Sequence, residues 1–128
     1  MFTAEQIIKA HNKVQSGADF PNYIKEIKAL GVTHYEAYVE DGHIDYHGAL
    51  ETVKVPEKYA SMTVAETADA ASFKVGLIDH QQGKTDYLSF IKMCAECGIE
   101  KWEISIDTMT CTYFDKSAKV ILVEQIPA

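Results

Sequence analysis

Asp19-Phe20-Pro21-Asn22-Tyr23-Ile24-Lys25 and Asp86-Tyr87-Leu88-Ser89-Phe90-Ile91-Lys92 lie 67 residues apart (19 to 86), and their likeness continues downstream without a gap. Gly31-Val32 falls on Gly98-Ile99, Tyr35-Glu36 on Trp102-Glu103, Val39 on Ile106, Ile44 on Cys111 and Tyr46 on Tyr113. One register that carries aromatic positions, a post-helix glycine and a strand alternation together marks an internal repeat. Upstream the match resumes after a two-residue shift, with Ile8 on Leu77 and His11 on His80.

Each copy reads as two helices followed by strands. Ile7, Ile8, His11 and Val14 mark one face of a first helix, and Phe73, Leu77, His80 and Gln81 share that spacing in the second copy. Ser16-Gly17 and Gly83 end these helices, because glycine takes the left-handed conformation common just past a helix terminus. Asp19 and Asp86 cap the next helices, with Pro21 tolerated in the first turn. Phe20, Tyr23, Ile24, Ile27 and Leu30 then form an apolar stripe that Tyr87, Phe90, Ile91, Cys94 and Cys97 reproduce, and Gly31 and Gly98 stop both helices.

Two-residue alternation follows. Tyr35, Ala37 and Val39 oppose Glu36, Tyr38 and Glu40, while Trp102, Ile104 and Ile106 oppose Glu103, Ser105 and Asp107. Asp41-Gly42 and Thr108-Met109 turn the chain into strands at Ile44 to His47 and Cys111 to Phe114. Further strands are expected near Glu51 to Val55 and Val120 to Glu124, and Pro56 to Ser61 reads as a surface connection. Neither half holds enough material for a large core, so the two are expected to bury one sheet face together. The expected fold is α+β: one domain over 1–128, built from divergent copies at approximately 1–64 and 69–128. Each copy is a helix-helix-strand-strand(-strand) unit, and together they give an antiparallel sheet with an approximate internal two-fold relation.

Composition narrows the function classes. The 128 residues are 47% hydrophobic and 24% charged, a globular balance rather than a disordered one. Twelve basic residues against nineteen acidic ones give a formal charge of −7, and every basic residue is lysine. A chain without arginine or a basic cluster is a poor reader of nucleic acid. No apolar stretch approaches a membrane span and the first residues lack the pattern of a secretory signal, so the expected location is the cytoplasm.

Three segments carry a resemblance to a known family: Ser16-Gly17-Ala18-Asp19-Phe20-Pro21, His80-Gln81-Gln82-Gly83-Lys84-Thr85-Asp86-Tyr87 and Met109-Thr110-Cys111-Thr112-Tyr113. Through them nearly the whole chain resembles the uncharacterised bacterial family known as domain of unknown function 1398, whose members sometimes carry the label phage envelope protein. The resemblance implies no catalytic residue and no mechanism.

Cys94, Cys97 and Cys111 suggest a thiol site, yet the repeat sets them against Ile27, Leu30 and Ile44. Core packing accounts for all three, since buried free cysteine behaves as a small hydrophobe. A zinc site from His43, Asp45 and His47 lacks a complete ligand shell, so neither metal nor cofactor is expected. His80, with Gln81 and Gln82 after it, joins proton exchange near neutral pH to amides that orient a polar ligand, and His11 is its counterpart. The bland reading makes both histidines partly buried residues bonded to the next helix. Glu36 and Glu103, matched on the strands, border a symmetric groove suited to a cation or a hydroxylated ligand, or are ordinary exposed carboxylates. Tyr46 and Tyr113 read as packing residues whose hydroxyls reach a polar boundary.

The candidate binding residues are therefore His11, Glu36, His80, Gln81, Gln82 and Glu103, with no catalytic assignment. Three readings stay open. The leading one is a ligand-binding or regulatory module for a small polar molecule or a protein. The others are a metal-independent enzyme, with His80 as acid/base and Asp86, Gln81, Gln82 or Glu103 positioning the substrate, and a structural interaction domain, homodimeric association included.

Overall fold

The computed structural model describes residues 2–14, 19–56 and 59–126. Its elements run α1 (Ala4–His11), α2 (Phe20–Leu30), β1 (Val32–Tyr38), β2 (Ile44–Gly48), β3 (Thr52–Val55), α3 (Ala70–Gln81), α4 (Tyr87–Glu96), β4 (Lys101–Ser105), β5 (Thr110–Phe114) and β6 (Val120–Gln125). The six strands form one antiparallel sheet in the order β3-β2-β1-β4-β5-β6, so the two halves meet at the β1–β4 seam. The class is α+β, and a helix-helix-strand-strand-strand order occurs twice.

All four helices lie on one side of the sheet, because the strand alternation makes only that side apolar. Tyr35 stands beside Tyr46 and Ile104, Ala37 beside Ile44 and Trp102, and Cys111 beside Ile104. Tyr23, Ile24 and Ile27 of α2, Ile91 and Cys94 of α4, Phe73 and Leu77 of α3 and Ile7 of α1 close over that layer, every one of them buried. Cys94, Cys97 and Cys111 are free and buried in this core. Burial pushes the Cys94 thiol well up and the Cys111 thiol up to about 12, which leaves them unreactive apolar fillers.

Helix ends follow local chemistry. Thr3 and Gln6 form a reciprocal capping box at α1, and Asp69 accepts from the Ser72 amide at α3, an end that the repeat pattern does not mark. Asp86 caps α4, accepting from the Ser89 amide at 2.7 Å. Asp19 departs from expectation: its backbone is already helical (φ −85°, ψ −11°), and from there its side chain makes no capping bond. Gly31 and Gly98 follow their helices in left-handed conformations, φ 108° and 78°, as Gly83 does at 77°. The stop expected at Ser16-Gly17 lies outside the described residues.

Three other expectations are corrected by packing. The buried residues of α1 are Ile7 and Ala10, and Ile8 is exposed, because the helix packs at the end of the sheet, against β3. Tyr87 is exposed where the stripe placed it inside. The connection after β3 is not purely superficial. Its Tyr59 packs against Gly42 and donates to the Val39 carbonyl at 2.6 Å, Met62 N–H donates to the Glu40 carbonyl, and Val64 is buried.

Candidate binding face

The alternation that turns Tyr35 and Ala37 toward the helices turns His34, Glu36 and Tyr38 the opposite way. Strand register then lines them up with Asp45 and His47 of β2 on one side and Lys101, Glu103 and Ser105 of β4 on the other. Glu36 and Glu103 are directly opposed across the central β1–β4 seam. Two of the residues singled out from sequence therefore meet at the middle of a face that no helix covers.

Around Glu36 this face is tightly organised. Lys101 Nζ donates to one carboxylate oxygen at 2.5 Å, and His47 Nε2 lies 3.0 Å from the other. A carboxylate only accepts, so Nε2 is the protonated nitrogen of His47. Burial by itself pushes the Glu36 carboxyl up, but the bonds and charges of Lys101 and His47 outweigh it and hold the group below its ordinary range. Lys101 Nζ also sits 5.5 Å from the Tyr38 ring centroid and 5.4 Å from that of Phe114, a cation flanked by two aromatic rings.

The histidines extend the network. His34 stacks on His47 with centroids 4.5 Å apart. The Thr33 hydroxyl donates to the His47 carbonyl, so its oxygen is left to accept from His34 Nδ1 at 3.0 Å. His43 stacks on Tyr38 at 4.2 Å and sets Nδ1 2.6 Å from Asp41. His43 and His47 of the triad weighed with Asp45 are thus drawn to different partners, and no cluster of three or more potential ligands gathers among the described residues.

Glu103 contrasts with its opposite number. It is half-buried at the centre of the same face, Lys101 feels its charge, and it makes no hydrogen bond or ion pair among the described residues. A carboxylate with its lone pairs unspent beside one that is fully engaged is a ready acceptor for an incoming donor.

The remaining sequence candidates lie on the other side of the sheet. His11, near the end of α1, meets the Tyr23 ring edge-on at 5.4 Å and borders a cavity of about 250 Å³ with Ile7, Ile8, Asn12, Tyr46 and Val55. Tyr46 is buried, and its hydroxyl bonds that of Tyr23 at 2.7 Å. His80 stacks flat on Phe90 at 4.2 Å, with Nδ1 3.1 Å from the Thr85 hydroxyl, so its anchor is the connecting loop and an aromatic ring. Gln81 turns to Glu124, which also accepts from the Tyr113 hydroxyl at 2.8 Å. Gln82 is the exposed C-cap of α3, and Asp86 is occupied at its cap. The sheet therefore separates Glu36 and Glu103 from the histidine ends of the helices, and no single groove joins all six. Sequence reading missed His34, Tyr38 and Lys101 as neighbours of Glu36. Alternation marks the first two, whereas Lys101 needs the β1–β4 register.

An antiparallel sheet sheltered by helices on one side and carrying a charged, aromatic array on the other defines an α+β protein whose distinguishing surface is that array. The chain belongs to the family described as Protein of unknown function (DUF1398), which matches it over residues 8–125. No curated protein matches it. No helix among the described residues is long and apolar enough to cross a membrane.

Proposed function

We propose that the chain is a binding module that docks a protein partner on the uncovered face of its sheet, with Glu103 receiving a basic side chain. One observation carries this reading: a half-buried carboxylate without a bonded partner at the centre of the face, directly opposite a Glu36 that Lys101 and His47 already engage. A lysine or arginine laid over Glu103 would gain charge-assisted hydrogen bonds, and Phe114 and Tyr38 supply rings beside which its alkyl stem packs. The surface of an open sheet suits a macromolecule, whereas small-molecule sites are concave. The formal charge of −7 adds long-range attraction for a basic partner.

The test is amide and side-chain NMR of the labelled protein titrated with short peptides carrying one central lysine or arginine, against peptides with glutamine there. The expected result is perturbation centred on Glu36, Tyr38, Lys101, Glu103, Thr112 and Phe114, lost in E103Q. Perturbations centred on Ile7, His11, Asn12 and Tyr46 would instead favour small-molecule binding at the cavity beside α1, and equal binding by E103Q would overturn the role of Glu103.

A further inference from the structure

Matched positions in the two halves differ over one carboxylate. In the second half Glu124 is held from two sides, accepting from the Tyr113 hydroxyl at 2.8 Å and from the Gln81 amide at 3.2 Å. Strand register gives the equivalent of each group in the first half. Ile44 matches Cys111, and Ile44 pairs with Val55 as Cys111 pairs with Glu124. Two residues on, Tyr46 matches Tyr113, and Asn12 follows His11 as Gln81 follows His80. The first half therefore keeps the hydroxyl and the amide but sets Val55 where the carboxylate would stand. The correspondence is one of position and needs no common descent.

Those positions surround a space. Tyr46, Asn12 and Val55, with Ile7, Ile8 and His11, line the cavity of about 250 Å³. The side-chain amide of Asn12 makes no hydrogen bond among the described residues. Tyr46 is 2% exposed, and the bond between its hydroxyl and that of Tyr23 uses one of their two protons. One O–H of this buried pair is thus left without an acceptor among the described residues, which is costly away from water. In the second half Phe90 stands at the place of Tyr23, and the Tyr113 proton goes to Glu124.

We infer that this cavity binds a small organic acid, whose carboxylate takes the place that Glu124 holds in the second half and accepts from the Tyr46 hydroxyl and the Asn12 amide. Burial pushes the Tyr46 hydroxyl up to about 12, so it stays a donor at neutral pH, and a carboxylate is the stronger kind of acceptor for it. Ile7, Ile8 and Val55 receive an apolar body. A cavity of about 150 Å³ holds benzene, so this one admits roughly ten non-hydrogen atoms, a ring or short chain with its carboxylate. Glu124 shows that a chain of formal charge −7 receives a carboxylate in such a setting. The inference is independent of partner docking on the uncovered face, because the cavity lies on the helix side of the sheet.

Amide NMR of the labelled full chain, titrated with phenylacetate and with 2-phenylethanol as its uncharged counterpart, tests it. Phenylacetate is expected to shift Ile7, Ile8, Asn12 and Val55 saturably, and the alcohol to bind about tenfold more weakly. N12A, at an exposed position, and Y46F are each expected to weaken phenylacetate by about tenfold, with circular dichroism checking the fold. V55E puts a carboxylate where the second half has one and is expected to abolish binding. E103Q is expected to bind phenylacetate as the wild type does, which separates this site from the uncovered face. The absence of a saturable shift at the cavity overturns the inference. So does equal binding of the alcohol, phenylacetate binding unchanged in both N12A and Y46F, or binding retained by a folded V55E.

Discussion

Glu36 shows how much one position depends on residues far from it in sequence. By alternation it is an outward carboxylate on a half-buried strand, and nothing near it in sequence distinguishes it from Glu40. Register supplies Lys101 and His47, and with them a group whose carboxyl is held below its ordinary 4.5. Its stabilising contribution is therefore complete above that value and disappears as pH falls through the lower folded one. Lys101 is shifted the other way: burial opposes its charge, but the Glu36 hydrogen bond prevails and raises it above 10.5, so its contribution is complete below 10.5 and disappears above the folded value. E36Q is expected to lower stability at neutral pH by no more than about 1 kcal/mol, since solvent screens the pair. Urea melts across pH should show the gap between wild type and E36Q widest between those limits and closing at both extremes. A gap independent of pH would mean that shape, not charge, makes Glu36 matter.

Among the elements, two helix ends with nearly the same backbone conformation carry different burdens. Gly83 and Gly98 have φ of 77° and 78°. Nothing lies within 4 Å of where a Cβ would sit on Gly83, whereas on Gly98 it would meet the Thr67 carbonyl oxygen at 2.7 Å and the Ala68 Cα at 2.9 Å. The approach follows from the docking of the inter-half connection on the end of α4, where the Asp69 amide donates to the Cys97 carbonyl and the Ala65 amide to that of Ala95. G83A is expected to cost about 1 kcal/mol, the left-handed penalty alone, and G98A about 3 kcal/mol or more, because backbone must also move. Chemical denaturation of the two variants checks the order, and equal costs would mean that the connection yields freely.

At the level of the whole molecule, we propose that the halves descend from one duplicated unit. Exchanging the halves turns the pair His34–Ser105 into Lys101–Tyr38, which is itself a pair of the β1–β4 ladder, with Glu36–Glu103 at the centre of exchange. In an experimental structure, residues 86–113 are expected to superpose on 19–46 at the 67-residue offset, helix on helix and strand pair on strand pair. A best fit at another offset would remove the duplication. The halves have since diverged where they face different surroundings. His11 meets Tyr23 edge-on while His80 stacks on Phe90, and one sheet edge is short and charged while the other is long and apolar.

The order of helices and strands, the apolar face of each strand and the exchange of Ile27 and Ile44 for Cys94 and Cys111 were all legible in the chain itself. These are local periodicities, and both halves of the chain carry them. The pairing of Glu36 with Glu103 was legible only as a matched position. That the two stand opposite one another, on the far side of the sheet from His11 and His80, follows from β1 meeting β4 across 67 residues, a long-range choice that no local pattern encodes. Lys101 against Glu36 and the connection buried at Val64 have the same origin. Local sequence determines which way a side chain points, but only the closed sheet determines what stands next to it.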